Sequence, residues 1–166
     1  MSYQEKQTIF SVLTGITVLI AYIIYAYARI QSGNIVFEDL RFWAVSMLIF
    51  IGLGAGITII GQIVFHILLS VSIAVKEKVK NSELSDEQIE KTINNEMITD
   101  EMDKLIELKS MRIGFYFSGI GFVTGLILLV LNYSPVIMLN VMYLSFSVGS
   151  LIEGFTQLYY YRKGIQ

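Results

Sequence analysis

The chain has 166 residues, of which 54% are hydrophobic and only 16% are charged, with one proline and a mean hydropathy of +0.62. These values lie outside the range of soluble domains and indicate a membrane protein that is surrounded by the lipid bilayer. A net charge of -2 without a basic stripe excludes direct binding to nucleic acid, and the absence of cysteine excludes disulfides and thiolate metal sites.

Four apolar stretches are each long enough to cross the roughly 30 Å hydrocarbon layer of a bilayer. They cover approximately residues 8–28, 42–69, 113–132 and 135–158. Backbone polar groups have no water partners inside a bilayer, so continuous apolar stretches of this length must be helical. We therefore predict an all-α fold, with a single membrane domain that forms a four-transmembrane-helix bundle.

The second apolar stretch is longer than a bilayer requires. From Trp43 to Val75 it would form a helix of about 50 Å, at 1.5 Å per residue. We expect its last turns to leave the membrane as a helical stalk, which leads toward the basic residues Lys76, Lys78 and Lys80.

Basic residues are distributed unevenly between the two sides of the predicted membrane domain. With four spans, Arg29 and Arg41 lie on one side, and the other ten of the 12 lysines and arginines lie on the side of the termini and of the loop at 76–112. Because such residues concentrate in cytoplasmic loops, both termini are predicted to be cytoplasmic. Tyrosine and tryptophan prefer the headgroup depth. We therefore expect an outer aromatic girdle of Tyr22, Tyr25, Tyr27, Trp43 and Tyr133 and an inner one of Tyr159, Tyr160 and Tyr161.

The loop at 76–112 is the predicted cytoplasmic part of the chain, and its pattern predicts two helices. Ser85 and Gln88 resemble a capping box at the start of the first helix, and Asp100 and Asp103 resemble one at the start of the second. The second helix is predicted to run without a break into the third span. A narrow apolar stripe on the first helix is a candidate partner-binding surface, formed by Ile89, Ile93 and Met97.

Acidic side chains gather at the start of the second loop helix, namely Asp100, Glu101, Asp103 and Glu107. Binding of a divalent cation is one interpretation, but the spacing of a calcium loop and its glycine are missing. The alternative is a solvated helix start with salt bridges to Lys104 and Lys109, and we predict no metal site. The same four acidic residues are candidates for binding a cytosolic partner.

Two ionisable residues stand out inside the predicted spans: His66 is the only histidine of the chain, and Glu153 is the only acidic residue within a span. Counted from Lys76 and Arg162, both lie about 14 to 15 Å from the inner boundary, hence at one depth on two parallel helices. We expect them to pair, because intramembrane charges face the bundle interior. The alternatives are a role in binding a ligand, a proton or a metal, or a histidine at the membrane interface.

Further polar and small residues share this depth or these helix faces. Gln62, Ser150 and Gln157 lie on the same faces as His66 and Glu153 and are candidates for a buried polar or ligand site. Small side chains at the same depth leave room for water or a ligand, namely Ser11, Thr14 and Gly15 in the first span and Ser118, Gly119 and Gly121 in the third.

Two GxxxG patterns predict close helix packing. The second span contains Gly52 and Gly56, and the third contains Gly121 and Gly125. Such patterns let two helix backbones approach each other, either within one bundle or between two copies of a chain. We predict packing within the bundle, and we also expect a homodimer through one of these patterns.

The segment DEMDKLIELK at 100–109, followed by two spans and the ending YYYRKG, resembles a widespread group of small bacterial four-span membrane proteins. In that group an acidic D-E-R-D-x-x-I-x-x-[KR] segment precedes the third span, and a Tyr-Tyr-Arg ending follows the fourth. Met102 stands here where the group usually has arginine. The resemblance covers the chain from Asp100 onward and implies a bacterial inner-membrane protein with a cytosolic regulatory partner.

No nucleophile elbow, phosphate loop or HExxH motif is present, so we predict no enzyme, no catalytic residue and no cofactor. The leading hypothesis is a non-enzymatic regulatory or interaction protein that acts through its acidic cytoplasmic loop on a cytosolic partner. The alternative is a small-solute or proton-coupled transporter or channel that uses a polar site at His66 and Glu153.

Overall fold

The computed structural model describes residues 3–32, 39–80, 90–92 and 100–165. Their long helices are α1 (Tyr3–Gln31), α2 (Leu40–Lys80), α3 (Glu101–Val130) and α4 (Pro135–Lys163). All four are long and apolar enough to cross a membrane. The all-α class and the four long apolar helices are therefore confirmed, and the chain is a multi-pass membrane protein.

Two helices extend beyond the length that a bilayer needs. α2 has 41 residues, which corresponds to about 60 Å of helix, and it continues through the predicted stalk to Lys80. α3 begins in the charged segment at Glu101 and runs as one helix to Val130. The predictions of a helical continuation of α2 and of an unbroken third helix are both confirmed.

The predicted first loop helix is described only at residues 90–92, which are helical. A helical loop between the second and third spans is therefore not established. The predicted capping box and the apolar stripe of this helix lie outside the described residues, namely Ser85, Gln88, Ile89, Ile93 and Met97.

The start of α3 has the complete capping box that the sequence predicts. The Asp100 carboxylate accepts a hydrogen bond from the backbone N–H of Asp103 at 2.7 Å, and the Asp103 carboxylate accepts one from the N–H of Asp100 at 3.1 Å. Two of the unpaired N–H groups at the helix start are thereby satisfied. The hydrogen bonds between Asp100 and Asp103 thus fix the residue at which α3 begins.

A tight turn joins α3 to α4 and makes them antiparallel neighbours. Asn132 adopts the left-handed conformation there, with φ of 62°, which asparagine tolerates better than most residues. Ser134 caps α4, and Pro135 occupies a first-turn position where its missing N–H costs nothing. We call this end of the bundle the turn end, and the opposite end, which holds Glu5 and Arg162, the terminal end.

α4 is the central helix of the bundle. It packs most extensively against α3 and next against α1, whereas α2 packs more on α1 than on α4. A Cβ atom on Gly61 of α2 would overlap the Phe10 ring of α1, so this glycine allows the close approach of the two helices. The arrangement leaves α2 attached to the rest of the bundle mainly along α1.

The buried core lies near the turn end, where α1, α2 and α4 meet. Its members are Tyr22, Trp43, Met47 and Val136. Tyr22 is 1% exposed and Trp43 is 2% exposed, and the Tyr22 hydroxyl donates a hydrogen bond to Asn140 Oδ1 at 2.7 Å. The expectation that Tyr22 and Trp43 belong to an aromatic girdle at the membrane surface was wrong, because both rings pack inside the bundle.

α3 meets α4 along a row of small buried residues, namely Ser110, Gly114, Ser118, Gly121 and Gly125. A Cβ atom on Gly121 would overlap the Ser145 side chain, and one on Gly125 would lie 3.1 Å from Met138 Cγ. Gly121 and Gly125 thus lie in the contact between α3 and α4. Gly52 and Gly56 of α2 differ, since a Cβ atom on either would meet nothing within 4 Å.

Candidate functional site

A groove of about 750 Å³ lies between α1, α2 and α4. α1 forms its floor, because α1 contacts both neighbours: Val18 faces Gly54 of α2, and Val12 fills the space beside Gly154 of α4. α2 and α4 form the walls. They come together in the buried core, which closes the groove at the turn end.

The lining of the groove changes in polarity along its length. Near the turn end the walls are apolar, with Met47, Leu48, Phe50, Ile51, Leu139 and Met142 among the lining residues. Toward the terminal end the lining becomes polar, with Thr8, Ser11, Thr14, Ser150, Glu153 and Gln157. The groove therefore has an apolar half and a polar half.

The polar groups of the groove differ in whether they already have partners. Thr8 Oγ1 lies 2.8 Å from the backbone oxygen of Gln4 and 3.1 Å from Gln157 Oε1, so it joins α1 to α4. Other hydroxyls have no hydrogen-bond partner in the described part of the chain, namely those of Ser11, Thr14 and Ser150. These hydroxyl groups remain available to a bound molecule.

Glu153 lies where the groove borders the contact between α3 and α4. A Cβ atom on Gly114 would lie 3.2 Å from Glu153 Oε2, so the glycine makes room for the carboxylate. Glu153 is half-buried and forms no hydrogen bond or ion pair with any described residue. A half-buried carboxylate without a cationic partner in a membrane-spanning helix is costly and is typical of functional sites.

His66 does not line the groove. It is exposed, and its ring meets the Tyr3 ring edge-on with 6.1 Å between centroids. Among the described residues there is no hydrogen bond or ion pair between His66 and Glu153. The α2 lining of the groove ends at Thr58, and beyond it α2 packs on α1, where Phe65 contacts Tyr3.

The other members of the predicted polar site divide in the same way. Ser150 and Gln157 line the groove together with Glu153, whereas Gln62 is half-buried but does not line it. Of the small residues predicted to leave room for a ligand, those of α1 line the groove, namely Ser11, Thr14 and Gly15. Those of α3 do not, since Ser118 and Gly121 are buried against α4.

The acidic cluster lies at the terminal end, beside the end of α4. The Asp103 side chain lies close to the Tyr161 hydroxyl of α4. Asp103 is half-buried, whereas Asp100, Glu101 and Glu107 are exposed. Within the described residues, no three histidine, cysteine, aspartate or glutamate side chains are placed to hold a metal ion.

An ion pair joins α1 to α4 at the same end. Arg162 Nε lies 3.3 Å from Glu5 Oε1, and the Glu5 side chain is only 9% exposed. Nothing in the sequence pattern distinguishes Glu5 or Thr8 as contacts of α4, because both residues are ordinary at the start of a helix. Their spacing is the one sequence feature that fits these contacts, because Glu5, Thr8 and Val12 fall on one face of α1.

No family model, curated protein or solved structure matches the chain.

Proposed function

We propose that this chain is a non-enzymatic regulatory membrane protein that binds a cytosolic partner through the acidic start of α3. The observation that carries the proposal is the continuity of α3, which joins the acidic first turn to the apolar span in one helix. The capping box fixes the conformation of this turn, and Asp103 lies close to Tyr161 of α4. A basic surface on a partner would complement the exposed carboxylates of Glu101 and Glu107.

The first experiment measures how the exposed carboxylates at the start of α3 contribute to the affinity for the partner. We expect the double variant Glu101→Gln, Glu107→Gln to bind the partner about fivefold more weakly than the native chain, because two exposed charge pairs together contribute roughly 1 kcal/mol. Neither residue belongs to the capping box. The partner is first isolated with the full chain in mild detergent and identified, and its affinity is then measured at several salt concentrations.

The control for this experiment is Glu90→Gln, which removes an exposed carboxylate outside the acidic cluster. It should leave the affinity unchanged. The proposal fails if no soluble protein remains with the native chain at low salt, or if Glu90→Gln weakens binding as much as the double variant does.

The same proposal includes an orientation, with the acidic start of α3 and both termini in the cytoplasm of a bacterial cell and the spans in its inner membrane. The uneven distribution of lysine and arginine supports this orientation. The bacterial location is supported by the resemblance of the segment from Asp100 onward to small bacterial four-span proteins.

Single cysteines introduced into this cysteine-free chain should report the orientation. We expect Gly33→Cys to react with a membrane-impermeant thiol reagent on intact cells, and Asn95→Cys to react only after the membrane is opened. The measurement is gel-shift labelling before and after permeabilisation. Equal labelling of both variants on intact cells would contradict the proposed threading.

Transport of a small solute or of protons is a second candidate function, and the groove is the observation that favours it. Of the two ionisable residues in the predicted polar site, only Glu153 lines the groove, so a pathway would depend on Glu153 and not on His66. Solute flux into proteoliposomes that is lost in Glu153→Gln would favour transport over regulation.

A homodimer also remains part of the proposal. Its interface would be the face of α2 that carries Gly52 and Gly56, because no part of the described chain occupies the space beside these two glycines. Gly125 is not available for this contact, since Met138 and Met142 of α4 lie against it.

A further inference from the structure

The charged residues in the lining of the groove indicate which charge a bound molecule would carry. Glu153 is the only charged residue that lines the groove in the described part of the chain, and no lysine, arginine or histidine lines it there. An anionic head group would therefore meet a carboxylate without any cationic counterpart. A cation would instead give Glu153 the partner that it lacks.

A primary ammonium group fits the polar half of the groove better than other cations do. It carries three N–H donors, and Glu153 accepts hydrogen bonds through two carboxylate oxygens. Ser11 and Ser150 line the same half of the groove, and their hydroxyls, each with two lone pairs, are the acceptors that we assign to the remaining N–H groups. A quaternary ammonium group would leave these acceptors unused.

The apolar half of the groove is suited to the hydrocarbon chain of a ligand. Along α1 the lining of the two halves together extends from Thr8 to Leu19, which corresponds to about 16 Å at 1.5 Å per residue. Leu48 and Ile51 line the α2 wall and are exposed, so the groove is open along its side. An alkyl chain in the surrounding bilayer can enter from that side without crossing the closed turn end.

We propose that the groove binds one amphipathic primary amine, with its ammonium group at Glu153 and its alkyl chain extended along α2 toward the turn end. This inference goes beyond the action on a cytosolic partner and does not depend on it. The ligand site and the acidic start of α3 use different residues, so each can be disproved separately.

Photo-crosslinking of the full chain in nanodiscs of zwitterionic lipid tests the proposal. The probe is dodecylamine with a diazirine near the end of its chain, and the crosslinked residues are located by mass spectrometry. We expect crosslinks near Leu48 and Ile51. Glu153→Gln should reduce them about tenfold, because a hydrogen-bonded charge pair is lost. The equivalent probes with a carboxylate or a hydroxyl head should label these residues about tenfold less than the amine.

Two further variants separate groove binding from partition into the bilayer. Ser150→Phe should abolish the crosslinks because the added ring fills the groove, whereas Thr124→Phe should not, because Thr124 is exposed and does not line it. Melting temperatures show whether each variant is folded. Equal labelling by the amine and carboxylate probes, or unchanged labelling of folded Glu153→Gln, would overturn the proposal.

A competition experiment separates an amphiphile from a small water-soluble amine. Butylamine carries the same ammonium group without the long chain, so it should protect the groove from labelling far less than unlabelled dodecylamine does. Equal protection at equal concentration would show that the apolar half contributes nothing, and it would overturn the assignment of an amphipathic ligand.

Discussion

Replacing Tyr22 by alanine should lower the free energy of unfolding by about 3–5 kcal/mol, as truncation of a large buried aromatic residue does. Tyr22 joins three helices at the turn end. Its ring lies 4.3 Å from the Tyr143 ring of α4 and 5.4 Å from the Phe50 ring of α2, measured between centroids. Its loss would leave a cavity in the core that holds α2 to α4.

The variant Tyr22→Phe separates packing from hydrogen bonding. It removes only the hydroxyl that donates to Asn140, and such bonds between membrane helices contribute about 0.6 kcal/mol on average. Tyr27→Ala is the control on the same helix, because Tyr27 is exposed. Unfolding is measured by circular dichroism as SDS is added to detergent micelles. A loss in Tyr27→Ala as large as that in Tyr22→Ala would contradict the role of Tyr22 in the core.

The helices and their ends are the part of the fold that the sequence predicts well. Apolar stretches of about 20 residues or more have one stable conformation in a bilayer, so hydropathy alone indicates four helices. The start of α3 is predicted equally well, because the hydrogen bonds between Asp100 and Asp103 are local and depend on spacing within one turn.

The arrangement of the helices around one another is much harder to predict. A helix that is apolar on all sides has no periodicity to show which face is buried. Tyr22 and Trp43 therefore look like surface aromatics by their depth, although both are core residues in the structure. The small residues that were predicted to share one depth in the membrane show the same limit. Those of α1 line the groove, whereas Gly121 of α3 packs against α4.

His66 and Glu153 show the same limit for the candidate site. Counting residues from basic markers places the two at a similar depth, but depth does not determine the distance between two helices. His66 lies beyond the last α2 residue that lines the groove, Thr58, and its ring packs beside Tyr3 of α1 instead. Sequence therefore identifies Glu153 as a candidate, whereas its neighbours depend on the tertiary structure.

Replacing Gly121 by alanine should destabilise the protein by about 1–3 kcal/mol, because α3 and α4 would have to move apart. A Cβ atom on Gly121 overlaps the side chain of Ser145 but lies 3.5 Å from its Cα, an ordinary contact distance. The double variant Gly121→Ala, Ser145→Gly should therefore recover much of the stability, since glycine at 145 vacates the space that the new methyl group needs.

Gly119→Ala is the matched control for Gly121→Ala, because a Cβ atom on Gly119 would meet nothing within 4 Å. Alanine is the better helix former, so this control should be as stable as the native chain or more stable by up to roughly 1 kcal/mol. Unfolding in SDS is followed by circular dichroism for the native chain, for Gly121→Ala, for Ser145→Gly and for the double variant. The four free energies of unfolding give the coupling energy between positions 121 and 145. Because the contact is direct, a coupling of about 1 kcal/mol or more is expected. Strictly additive losses, or an equal loss in Gly119→Ala, would show that Gly121 does not determine how closely α3 approaches α4.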